Sequence, residues 1–303
     1  MIDLGIVIVN WNTRDYLDRC LATVFASQDV TFEVVVVDNA SDDGSVEMVR
    51  SKYPQAQVIT SAENVGYPRG NNIGLRALGY RGQADVNTDA PRYALLLNPD
   101  TELPTDALCQ MVQFMDEHPE VGVAGPKLVL PDGSLDKACR RGFPTPAVSI
   151  YHFSGLARLF PRSERFGRYN MTFADPDEEL EVDSVVGAYM QVRREAVAQV
   201  GLLDEVFFMY AEDIDWCYRI KQAGWRVWYV PSVTVLHVKR AASRKSRKAQ
   251  FEFWRAMLIF YRKHYRQQTP LWLHSLILMG LLVKGGSGLW REIRQPSAPL
   301  TPA

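Results

Sequence analysis

Two hydrophobic periods alternate over the first third of the chain. "GIVIV" (5–9) is an unbroken apolar run of strand length, and after it Leu17, Cys20, Leu21, Val24 and Phe25 recur at the three- and four-residue spacing of one helix face. "EVVVVD" (33–38), "QVIT" (57–60) and "YALLL" (93–97) are further strand-length runs, and Leu108, Met111, Val112 and Met115 mark another helical stripe. Strands with no polar alternation must be covered on both faces, so their regular return between helices predicts an α/β fold around a parallel sheet. Ligands of such sheets sit beyond the carboxyl ends of the strands. Asp38 and Asp100, each closing an apolar run, are therefore expected to open on one crevice, with the polar cluster "ENVGYPRGNN" (63–72) beside them. Each aspartate taken alone is also what a simple turn would use.

From about residue 180 the pattern changes. "LEVDSVVGAYMQVRR" (180–194) reads as a long strand or strand pair, and "FMYAEDIDWCYRIKQAGW" (208–225) as a helix that opens with acids and ends at Gly224. "RVWYVP" and "TVLHV" read as short strands, whereas Pro144 to Asp177 gives no clear period. Between Lys239 and Arg266 there are ten Lys/Arg against the single acid Glu252, mixed with aromatic residues, and "LWLHSLILMGLLV" (271–283) follows. That run falls short of the roughly 20 apolar residues of a spanning helix. Two readings stay open: the segment lies on an anionic membrane surface, or its helices pack on the catalytic domain or on a second subunit as a homodimer. The expected division is a domain over 1–238 and a helical segment over 239–303.

Composition narrows the partners. A net charge of −1 gives no general affinity for nucleic acid. Cys20, Cys109, Cys139 and Cys217 form no CxxC pair, and the first residues read as a strand, not a basic-then-apolar leader, so a reducing cytoplasmic setting is expected.

Glu212, Asp213 and Asp215 crowd the start of a helix, where the macrodipole favours negative charge. Capping accounts for any one of them. Three together exceed that need, and a carboxylate held there is suited to accept a proton from an attacking hydroxyl. His237, in a strand followed by the basic "KRAASRK", and an aspartate from a separate strand end make a mixed N/O site for a divalent ion beside phosphate. Asn64, Gly66, Asn71 and Gly74 let the chain turn sharply and approach a ligand. Neither GxGxxG nor GxxxxGK[ST] occurs, so a dinucleotide fold and a P-loop NTPase are not indicated.

The ordered set "IVIVNWNTRDYLDRCLATV", "VVVVDNASDDGS", "NVGYPRGNNIG", "LLLNPDTEL", "VVGAYMQVRREAVAQVGLLDEVFFMYAEDIDWCYRIKQAGW" and "VTVLHVKR", over roughly 4–240, resembles family 2 glycosyltransferases of GT-A fold. The subgroup it looks most similar to is the bacterial rhamnosyltransferase-like enzymes of cell-envelope polysaccharide synthesis. The resemblance implies a nucleotide site at Asn10, Asp38, Asn64, Arg69, Asn71 and Asn98, with Asp38 reading the base. It implies an Mn2+ or Mg2+ site at Asp100 and His237, and a catalytic pair in Glu212 and Asp213 with Asp213 as the base. Asn98-Pro99-Asp100 stands where a DXD motif would be, so the first carboxylate is missing, and "GYPRG" stands for "GFAGG". The processive QxxRW signature is absent. The implied reaction is inverting transfer of one sugar from a nucleoside-diphosphate donor to a glycan or lipid-linked acceptor, at the inner face of the plasma membrane. The rival readings are a sugar-1-phosphate nucleotidyltransferase, which would want a glycine-rich phosphate loop where "NWNTRD" stands, and a catalytically degenerate, membrane-recruited binding subunit.

Overall fold

A computed structural model describes residues 2–82, 89–239 and 247–294. The apolar runs form β1 (Leu4–Asn10), β2 (Phe32–Asp38), β3 (Gln57–Thr60) and β4 (Tyr93–Leu97), paired in parallel in the order β3-β2-β1-β4. Helices Arg14–Phe25, Ser45–Lys52 and Tyr67–Ala77 connect them, and Leu17, Cys20, Leu21 and Val24 of the first are buried as the stripe predicts. Every residue of β1 and β4 is buried, which is why these strands carry no polar alternation. Each such Val, Ile or Leu contributes roughly 1.5–3 kcal/mol of transfer free energy.

The second half of the sheet continues through β5 (Thr101–Glu102), β6 (Val121–Val129), β7 (Leu180–Glu181), β8 (Tyr189–Arg193) and β9 (Arg226–His237). The full order is β3-β2-β1-β4-β8-β6-β9-β5, with β7 added along β9, and β8 runs antiparallel to both β4 and β6. The stretch 180–194 is thus two strands separated by a turn at Val186–Ala188. "RVWYVP" and "TVLHV" are one twelve-residue strand whose pairing with β6 shifts register after Pro126. The unreadable stretch after Pro144 contains short helices at Pro146–Phe153, Leu156–Leu159 and Glu164–Gly167, the first begun by Pro146 and capped by Thr145 Oγ1 accepting from Val148 N.

The C-terminal segment is helical, at Arg247–His264, Leu271–Gly285 and Ser287–Arg294. Ala256, Ile259 and Phe260 of the first of these share a small apolar core with Phe207, Ala211 and Ile214. Its charges are also turned inward. Lys263 Nζ lies 2.9 Å and His264 Nε2 2.7 Å from Asp215 Oδ1, while Arg219 Nε holds Asp215 Oδ2 at 2.9 Å. Asp215, third of the crowded acids, therefore clamps two helices together. Among the described residues no helix is long and apolar enough to cross a membrane. All four cysteines are free thiols, and burial pushes Cys20 and Cys217 up to about 12 and Cys139 to about 11.

Candidate active site

Parallel register sets the first pair. Asn10 and Asp38 end β1 and β2 as direct neighbours, so their side chains leave the sheet on the same side. Asn10 Nδ2 donates to Asp38 Oδ1 at 2.8 Å and to Ser41 Oγ at 3.1 Å, and Ser41 N donates to Asp38 Oδ2 at 2.8 Å. Asp38 is thus held rigidly at a strand end. Next in the chain, Asn39 Nδ2 donates to Gly66 O at 3.2 Å, while Asn39 Oδ1 is buried with no partner among the described residues.

Gly66 is where the polar cluster needs a glycine. Its φ is +85°, and a Cβ there would stand 2.5 Å from Phe208 O. Asn64 Oδ1 accepts from Gly66 N at 3.0 Å and fixes the turn. Pro68 then opens the helix Tyr67–Ala77. Asn71 is fully buried, donates to Tyr67 O at 2.9 Å, and leaves its own Oδ1 unpartnered among the described residues. Arg69 takes a different direction: it is exposed and lies 4.0 Å from Glu205, away from the Asp38 network.

Tyr67 joins the two halves of the site. Its hydroxyl donates to Gly187 O at 2.7 Å, and Gly187 N donates to Asp213 Oδ2 at 3.2 Å. Burial and the charges of Glu212, Asp213 and Asp100 all push the Tyr67 phenol far up. Asn98 arrives beside it, its N–H on Ala188 O at 3.0 Å.

The pairing of β5 with β9 sets Thr101 opposite His237, which brings Asp100 to the imidazole. His237 Nδ1 lies 2.9 Å from Asp136 Oδ2, so Nε2 is aimed at Asp100 Oδ1, 3.4 Å away. Lys239 Nζ also holds Asp136 at 2.6 Å. Burial lowers the His237 pKa, but its hydrogen bonds to Asp100 and Asp136 outweigh that and raise it. Burial likewise opposes ionisation of Asp136, and His237 and Lys239 overcome it. A carboxylate behind a histidine is how ligating imidazoles are oriented. One carboxylate and one imidazole facing each other suit an ion bound mostly through a substrate's phosphates; no group of three or more acidic, His or Cys side chains that could hold a metal occurs among the described residues.

Glu212 and Asp213 begin the helix Glu212–Gln222, behind two consecutive non-glycine residues at positive φ, Tyr210 (73°) and Ala211 (63°). Such backbone costs of order 1–3 kcal/mol per residue and tends to mark functional sites. Asp213 is heavily engaged: Oδ2 accepts from Arg141 at 2.6 Å as well as from Gly187, and Oδ1 accepts from Ile214 N at 2.8 Å. Arg141 is buried, and although burial opposes its charge, Asp213 raises its pKa further. Glu212 is the opposite case. Its Oε2 is buried without a partner among the described residues, and burial, then the neighbouring Asp213, push its pKa up. Sequence reasoning missed Arg141 and Asp136, whose stretch "DKACRR" has no period and no recognisable motif.

Residues 3–252 match the family model described as "Glycosyltransferase like family 2". The chain is 30% identical over 236 residues to an N-acetylglucosaminyl-diphospho-decaprenol L-rhamnosyltransferase of Mycobacterium tuberculosis, covering 78% of this chain and 76% of that protein. It is 28% identical over 240 residues to the rhamnosyltransferase WbbL of Escherichia coli, covering 77% of this chain and 82% of that one. Among solved structures, the mannosyltransferase PcManGT of Pyrobaculum calidifontis, in complex with GDP-Man and Mn2+, superimposes with a TM-score of 0.57 at 17% identity over 98% of this chain and 76% of that one. GalNAc-T7 with UDP, GalNAc and Mn2+ gives a TM-score of 0.62 at 16% identity, this chain spanning 54% of its length. These likenesses place the fold among GT-A enzymes.

Proposed function

Because the chain belongs to glycosyltransferase family 2 and is a glycosyltransferase, we propose that it moves one sugar, rhamnose in the first instance, from a nucleoside-diphosphate donor to a hydroxyl of a lipid-linked cell-envelope glycan, with inversion. The observation that carries this is one path of hydrogen bonds and two peptide links (Asp38–Asn39 and Gly66–Tyr67) from Asn10–Asp38 through Asn39, Gly66, Tyr67 and Gly187 to Asp213 and Arg141. It ties the polar residues at one set of strand ends, which this reading gives to the nucleotide, to a carboxylate pair at the other.

In this reading Asp38, positioned by Asn10 and Ser41, accepts from the base or ribose. The open amide oxygens of Asn39 and Asn71 accept from donor N–H or O–H groups, and Asn64 shapes the turn that closes over them. Asn98 and Arg69 stand at the edge, Arg69 reaching the donor only by leaving Glu205. Asp100 and His237 Nε2 would hold a divalent ion, Mn2+ or Mg2+, whose contribution is to neutralise charge on the departing diphosphate. The acceptor hydroxyl is deprotonated at the Glu212–Asp213 pair, with Asp213 as the base and Arg141 holding it in place.

The relatives support the finer points by their own names: one acts on a decaprenol-linked acceptor and two are rhamnosyltransferases. A lipid-linked acceptor also sets the work at the cytoplasmic face of a membrane. The exposed apolar side chains Trp272, Leu276, Met279 and Val283 and the exposed cations Lys284, Arg291 and Arg294 support an anionic surface there. The test is product analysis by NMR after offering dTDP-rhamnose, UDP-hexose and GDP-hexose with a GlcNAc-diphosphate-lipid acceptor. A single added sugar of inverted anomeric configuration is expected; no product from any donor, with folded protein and either ion present, overturns the assignment.

A further inference from the structure

We propose that an apolar groove beside the catalytic helix receives the hydrocarbon chain of the acceptor, an isoprenoid carried on a diphosphate. The acceptor's identity rests on the transferase reading above, whereas the groove's own chemistry does not. It lies between the helices Pro146–Phe153, Arg247–His264 and Leu271–Gly285 and has a volume of about 240 Å³. Apart from Ser149, Lys284 and the Tyr261 hydroxyl, which is engaged by His274 at 2.9 Å, its wall is hydrocarbon and aromatic. Such a wall offers nothing to a sugar and favours an apolar ligand.

Its position selects the chain of the acceptor over any other apolar group. One end is built on Phe260, whose ring stands 6.0 Å from that of Tyr218, which in turn meets Phe143 at 5.0 Å. Tyr218 belongs to the helix that begins with Glu212 and Asp213. The wall residue Pro144 follows Arg141 by three positions, and three residues of extended chain reach at most about 11 Å. Arg141 itself touches Asp213. The groove thus starts from residues that pack on the helix carrying the carboxylate pair and runs outward to Phe153 and Trp254, whose rings are 5.1 Å apart.

The outer end is suited to a chain that leaves a bilayer. The helix Leu271–Gly285 carries apolar side chains on both sides: Leu273, Ile277 and Leu281 face the groove, while Trp272 (67% exposed) and Val283 (77% exposed) face out. Lys284, Arg291 and Arg294 are exposed nearby. The region's two acids, Glu252 and Glu292, are turned in onto Arg255 at 3.4 Å each. The exposed charge is therefore positive, complementary to lipid phosphate.

Gly280 makes the test possible, because a Cβ built there meets nothing within 4 Å. Gly280→Trp is chosen to crowd the groove from a lining position where a Cβ has room, and Ile150→Glu, at a half-exposed lining position, to place a carboxylate in it. Calorimetry on the full chain would compare farnesyl diphosphate with inorganic diphosphate, below the concentration at which the lipid forms micelles. The expected result is binding of the farnesyl compound tighter by about tenfold or more, with that advantage lost in Gly280→Trp. Ile150→Glu carries the same expectation if Gly280→Trp does not fold. Equal binding of the two diphosphates, or variants that keep the full preference, overturns the proposal. So does a groove that fails to take farnesyl diphosphate but whose filling abolishes dimerisation or binding to phosphatidylglycerol vesicles, because the face then belongs to a second copy or to the bilayer. Nucleoside diphosphate binding, measured on the same samples, reports on the transferase reading separately.

Discussion

Glu212 and Asp213 are adjacent carboxylates in opposite surroundings, and the difference makes separate predictions for each. Asp213 has its charge met by Arg141 and its oxygens met by backbone N–H groups. Asp213→Asn should abolish transfer and leave donor binding nearly intact. It should also cost about 3–5 kcal/mol in denaturant unfolding, because it strands a buried guanidinium. A variant that keeps most of its turnover would refute Asp213 as the base. Glu212 keeps Oε2 buried without a partner among the described residues, and its raised pKa carries a definite sign. An acid bound more tightly to its proton in the folded state stabilises the fold below its ordinary range and loses that contribution as pH rises through the raised value. Glu212→Gln removes the penalty of ionising it. Relative to the parent, the variant's stability should therefore climb between the ordinary carboxylate range and mildly alkaline pH, then level off. Its transfer rate should fall by about a hundredfold. Denaturation midpoints that differ by a constant amount across pH would mean that Glu212 ionises freely.

At the scale of elements, the helix Glu212–Gln222 is held from behind by the first helix of the C-terminal segment. Asp215 carries much of that contact: burial opposes its charge, but the hydrogen bond from His264 and the charges of Arg219 and Lys263 outweigh burial and lower its pKa. Asp215→Ala leaves those cations buried against one another, so a loss of about 3–5 kcal/mol is expected. Hydrogen exchange should accelerate in Arg247–His264 before it does in β1 or β4; uniform acceleration would show instead that the two units unfold as one. The same clamp explains what periodicity could and could not read. Unbroken Val, Ile and Leu runs gave β1, β2 and β4 plainly, since burial on both faces leaves no other pattern. β6 was hidden by Gly122, Gly125 and Pro126 and by its shifts of register with β9. The basic count after Lys239 pointed only outward, because nothing local in "YRKHYR" says that Lys263 and His264 face a carboxylate 48 and 49 positions earlier in the chain. Asp38, Asp100 and Asp213 were legible as strand-end and helix-start acids. Arg141 and Asp136 were not, because a charge partner set by tertiary packing leaves no periodic trace.

Across the whole molecule, the path from Asn10 to Arg141 crosses between the parallel strands and the second half of the sheet, so a donor that bridges it must stabilise both together. A ligand bound only by the folded state adds about 2.7 kcal/mol at a hundredfold excess over its dissociation constant. For a chain of this size that raises the melting temperature by about 5 °C. The rise is expected with one of UDP, dTDP or GDP, and it should depend on Mn2+ or Mg2+ and vanish with a chelator. The reason lies in the proposed ion site: with Asp100 and His237 as its donors among the described residues, ion and diphosphate would each complete the other's site. Asp100→Asn should therefore remove most of the ion-dependent part while leaving any ion-independent binding at Asp38. An equal shift with and without the cation would refute the proposed ion at Asp100 and His237.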